Sequence, residues 1–185
     1  MKNFLLFLTL IFFFTLVQAQ EENSSHFSAP QLQKIKTETE RKVLVLKQKL
    51  SNEGFISAGS IEFITDTFRL EETARLKMDI AQSSAAMNEV IYTQADEYDK
   101  LLNKYYNRLM KLLGPEDQNS LLQAQRAWLS FRDSEQKLIT TLSAPQYSGG
   151  GSMVSNTLTY QYADLVIQRA LDIGEYYSTV ADNQE

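Results

Sequence analysis

The chain has no cysteine, a single histidine (His26), and only seven glycines and three prolines in 185 residues. Each shortage removes a class of protein. Without thiols there is no disulfide framework, no Cys nucleophile and no Cys-ligated zinc or iron–sulfur centre. One imidazole cannot supply paired-His metal sites, including the Glu-x-x-His pairs of di-iron bundles. His26 also stands in a polar N-terminal stretch, a poor place for the base of Ser-His-Asp chemistry. The 23 acidic residues leave a carboxylate pair for glycosidic cleavage formally open, but nothing singles out two of them. Dense Asp-x-Asp-x-Asp-Gly calcium loops are missing as well. The reading is therefore a non-enzymatic protein with no cofactor and no metal.

What is present begins with an apolar run of 14 residues, Phe4 to Val17, behind Lys2 and ahead of Val17-Gln18-Ala19. Residues 1–19 thus read as a cleaved signal peptide, too short for a comfortable membrane span, which needs about 20 residues. Its removal leaves 166 residues and takes the formal charge from −5 to −6, because Lys2 is its only charged residue. That length suits one domain with a real core. The export signal places the protein in the periplasm or outside the cell, with no membrane attachment after cleavage. A net negative charge without a basic stripe argues against nucleic acid and favours cationic partners.

The fold class is all-α, a bundle of four or five helices. Residues 20–28 are polar, without periodicity, and read as a disordered or loosely attached tail. A first helix starts near Pro30, carries Leu32, Ile35, Thr39, Val43, Leu46 and Leu50 at steps of three and four, and stops at Gly54. With fewer than four heptads, this stripe reads as packing on its own domain rather than as a coiled-coil arm. Ser60 to Leu113 holds no Gly or Pro, with a possible cap at Ser83-Ser84. Gly114-Pro115 ends that stretch, and Glu116 and Asp117 open a helix carrying Leu121, Gln125, Trp128, Phe131, Arg132, Leu138 and Leu142. A loop, Ser143 to Ser152, precedes a last helix from about Met153 to Tyr177. The domain reading is a tail at 20–28, a helical region at 29–83 and a second helical unit at 84–178.

Two candidate sites stand out. Trp128, Phe131 and Arg132 share a helix face, and Arg126 lies two turns from Asp133. Arg126, Trp128, Arg132 and Asp133 could form an aromatic–Arg recognition surface. Their alternative use is structural: a buried Trp, with an Arg–acid clasp locking helices together. The second candidate is the loop with Tyr147, Gly149, Gly150, Gly151 and Ser152. It lacks the Lys of a phosphate loop and reads as a flexible connection ending in a Ser cap, free to enter a partner's cleft.

These residues carry a resemblance. Met87-Asn88-Glu89, Asp99, Leu102-Asn103-Lys104-x-Tyr106, Ala124-Gln125-Arg126-Ala127-Trp128-Leu129-x-Phe131-Arg132-Asp133, Gly150-Gly151-Ser152 and Arg169 resemble, in order and spacing, the LprI-like domain over about residues 87–171. The family consists of small exported helical domains, and its namesake lipoprotein is a lysozyme inhibitor. The resemblance implies an exported helical binding protein that inhibits lysozyme. The alternative is a structural or assembly protein of the cell envelope. Family members commonly carry cysteines at positions nearest here to Val90, Gln136 and Gln161, and the lipid-bearing Cys of the namesake is also missing. Packing must then replace about 2–4 kcal/mol of cross-link stabilisation.

Overall fold

The computed structural model describes residues 25–54 and 56–184. The expected signal peptide and residues 20–24 lie outside them. The described residues form six helices and no strand: α1 (Ala29–Glu53), α2 (Ala58–Ile80), α3 (Ser84–Leu112), α4 (Pro115–Leu142), α5 (Pro145–Ser148) and α6 (Ser152–Asp182). Five are long and α5 is a single turn inside the expected loop. The chain is an all-α bundle, and among the described residues no helix is long and apolar enough to cross a membrane.

Local chemistry places most boundaries. The Ser28 N–H donates to the Gln31 side chain at 2.8 Å, half of a capping box that starts α1 just before Pro30. Gly54 ends α1 in the left-handed region at φ 71°. Ser57 and Ser83 cap α2 and α3 by accepting the N–H groups of Ser60 and Ala86. At the α3–α4 corner, the Gln118 amide donates to the carbonyls of Met110 and Leu113, both at 3.0 Å, and so satisfies groups the end of α3 leaves free.

The centre of the molecule lies between α3 and α6, which run parallel because α4 returns antiparallel between them. Tyr98, Leu102, Tyr105 and Leu109 of α3 meet Val166, Ala170, Ile173 and Tyr177 of α6, and α2 adds Phe63. Tyr98 and Tyr105 have no exposed surface. Their hydroxyls donate to Glu71 and Asp66 of α2, and burial pushes both phenols upward, so they stay neutral donors. Beside them Glu62 takes hydrogen bonds from Arg108 and Lys104, which lower its carboxyl from 4.5 to about 2. On the far side α1 lies antiparallel on α2 through Ile35, Thr39, Val43 and Leu50, the expected stripe used inside its own domain.

The tail differs from its expectation. Ser25–Ser28 are docked: Phe27 is 5% exposed against Ala86 and Val90 of α3, while Ser25 and His26 bond the Glu89 carboxylate at 2.7–2.8 Å. Phe27 supplies the apolar anchor that a search for periodicity cannot register. The last helix also runs one turn beyond its expected end, where Asp182 accepts a 2.7 Å bond from the Ser60 hydroxyl.

Candidate functional site

α4 buries a single residue, Leu121, and is held mainly by its Trp-centred motif. Trp128 is half-buried against the core. Arg132, one turn on, places its guanidinium 5.3 Å from the indole centroid, as i, i+4 spacing allows. The other flank belongs to α6: the Arg169 guanidinium lies 5.9 Å from the same ring, and its Nε donates to the Gln125 side-chain oxygen at 3.0 Å. One indole thus faces two cations, whose mutual repulsion is relieved by Asp133 beside Arg132, at 2.8 Å, and by the Gln125 carbonyl beside Arg169.

The expected arrangement needs two corrections. Trp128 is only half-buried at the core's edge, and among the described residues no Arg–acid pair joins α4 to another helix. Arg132 binds its own neighbour Asp133, so the bond between α4 and α6 is the charge-assisted amide contact of Arg169. Arg126 is exposed and does not reach Asp133, which is occupied by Arg132. Asp99, Asn103 and Tyr106 of α3 complete the cluster, lining with Gln125, Arg126 and Trp128 a shallow cavity of about 300 Å³. This arrangement positions α4, and Arg126, Phe131 and Asp133 stay exposed beside it.

Past the clasp, α4 turns apolar side chains outward. Phe131, Leu138 and Leu142 are 52%, 48% and 48% exposed. Their spacing of seven and four puts them on one face, and none of the described residues covers it. The face leads to the loop. There the Ser148 hydroxyl is shared between the Ser143 and Ala144 carbonyls and accepts the Gly150 N–H at 3.1 Å. Gly149, Gly150 and Gly151 follow at φ 75°, 74° and 105°, a run of positive values that only glycine adopts cheaply. Gly151, not Ser152, is the N-cap of α6, and no side chain caps it; Ser152 is the first helical residue. The expected Ser cap is therefore replaced by a folded turn.

That turn holds Tyr147 out at 64% exposure. Beneath it a groove of about 470 Å³ runs between α3, α4 and α6, lined by Tyr92, Gln136, Ile139, Leu158 and Tyr162, with no charged side chain. The two candidate sites are thus separate in role. Arg132 and Trp128 hold α4, while Tyr147 and the glycines form an exposed tip at the bundle end where α3 begins. Phe131, Leu138 and Leu142 were legible as a helical stripe, but its outward direction was not.

A family model described as lysozyme inhibitor LprI matches residues 77–172. The match covers just over half the chain, from the last turn of α2 through α3, α4 and α5 into α6, and includes the whole Trp cluster and the tip. No curated protein and no solved structure matches the chain.

Proposed function

The chain belongs to the LprI family of lysozyme inhibitors, and from that premise we propose that it is an exported, non-enzymatic protein that inhibits a cationic lysozyme. The family match over residues 77–172 is the observation that carries this reading. The mechanism is occlusion. Tyr147 and the Gly149–Gly151 backbone form a narrow exposed tip, a shape suited to an elongated sugar-binding cleft. Tyr is a favoured anchor at such contacts because a large ring is buried at low conformational cost. Phe131, Leu138 and Leu142 extend the apolar surface along α4. A formal charge of −6 after loss of residues 1–19 steers association with a basic enzyme. The apolar run at 4–17 supports export.

A turbidity assay tests the activity itself. Purified residues 20–185 should slow lysis of a bacterial suspension by lysozyme in proportion to their molar ratio. Unchanged lysis at a large molar excess would remove the proposal.

A further inference from the structure

A second cavity lies on the face of α3 that carries Val90, Thr93, Gln94 and Glu97, away from Tyr92 and the tip. α1 packs on α2 but makes no comparable contact with α3, so a groove of about 560 Å³ opens between the three helices. Its floor is apolar: Leu32 and Ile35 of α1, Leu70 and Ala74 of α2, and Val90 of α3. Val90 and Ile35 are 1% and 7% exposed. Phe27 closes one end, packing on Leu32, Ala74 and Val90.

The charges around this groove are unevenly used. Glu40 is paired with Arg69 at 2.7 Å and Glu97 with Lys100 at 2.6 Å. Lys36 and Lys77 form no ion pair among the described residues. Thr39 of α1 meets Thr73 of α2, which in an antiparallel pair brings Lys36 level with the last turns of α2, where Lys77 lies. The Lys77 ammonium is 6.0 Å from the Phe27 ring, so both cations mark the Phe27 end. The other end is blocked by the Glu40–Arg69 pair. A trough with an apolar floor, walls that include Thr39, Thr73, Thr93 and Gln94, two ammonium groups without an ion pair at one end and a neutralised ion pair at the other is complementary to an amphiphilic anion.

We propose that this groove binds a medium-chain fatty acid, its carboxylate between Lys36 and Lys77 and its chain over Leu32, Ile35, Leu70, Ala74 and Val90. From Arg69 to Lys77 the groove follows eight residue-to-residue steps of α2, about 12 Å at the helical rise, which accommodates an acyl chain of about eight to ten carbons. Chain length and head charge therefore both control affinity. The proposal is independent of lysozyme inhibition, since no residue of the tip or of the Trp cluster takes part.

Displacement of a fluorescent fatty acid from purified residues 20–185 tests it, with every ligand kept below its micelle concentration. Decanoate should displace the probe with a dissociation constant on the order of 10 µM. Decanol and a decyl trimethylammonium salt should be at least about tenfold weaker, because neither supplies the anion that Lys36 and Lys77 lack. Each methylene removed below decanoate should cost about twofold to fourfold, and lengthening beyond it should gain little. The double variant Lys36→Glu/Lys77→Glu, at one exposed and one half-buried position, should reproduce the tenfold loss for decanoate and none for decanol. No displacement by decanoate, equal binding of all three head groups, or full binding by the double variant would each overturn the proposal.

Discussion

Gly174 lies on α6 where α2 crosses most closely, and a Cβ built there falls 1.9 Å from the Phe63 ring. No small shift relieves such a contact, because Phe63 is itself packed edge-on to Tyr105 with centroids 4.9 Å apart. Gly174→Ala should therefore cost about 1–3 kcal/mol or more through overpacking, read as a melting temperature lower by several degrees. An unchanged melt would refute this account of the α2–α6 contact. Glu62 makes a different prediction. Arg108, then Lys104, hold its folded value at about 2 against 4.5, so its contribution to stability is complete above pH 4.5 and is lost as pH falls toward 2. Because its side chain is 42% exposed, screening limits the effect to on the order of 1 kcal/mol. Denaturant titrations should show Glu62→Gln losing that increment at pH 7 and converging with the parent near pH 2. The Trp128–Arg132 stack was readable from its spacing, since helix geometry fixes which side chains share a turn. The Arg169–Gln125 bond was not: periodicity defines a face and is silent on which helix it meets.

The helices themselves divide along the same line. Gly54, Ser83 and Gly114-Pro115 mark boundaries because caps and breakers act through neighbouring backbone groups. The docking of residues 25–28 escaped the sequence because one aromatic in a polar stretch has no period. Phe27→Ala should cost about 1–3 kcal/mol and free the first turns of α3, where Ala86, Glu89 and Val90 lie under the tail. Hydrogen exchange should accelerate there and not in the Tyr98–Leu109 segment; uniform protection would contradict the latch. α4 shows the reverse error. Its apolar spacing is sound, yet Phe131, Leu138 and Leu142 face outward, because amphipathic pattern does not say whether a face is buried or exposed. Phe131→Ser and Leu138→Ser should accordingly leave the melting temperature nearly unchanged while weakening inhibition several-fold in the lysis assay.

For the whole molecule, α2 supplies a second partner to the α3–α6 core through Phe63. Val90, nearest to one of the cysteine positions that the resemblance implies, is 1% exposed beneath Phe27, so apolar burial occupies it. Glu62, Asp66 and Glu71 add hydrogen bonds across α2 and α3. The class of fold and the order of the helices were legible in the absence of Gly and Pro from long stretches. The tip was legible only as a loop, because its folded turn depends on Ser148 and three left-handed glycines acting together. The proposed mode of inhibition puts this end in the sugar cleft of a cationic lysozyme. Its sharpest test is calorimetric titration of purified residues 20–185 into such a lysozyme, with and without a saturating chito-oligosaccharide in the cleft. A one-to-one complex is expected, suppressed at least about tenfold by the oligosaccharide and weakened by about 2 kcal/mol in Tyr147→Ala. Absence of binding, or a complex indifferent to the occupied cleft, would contradict it.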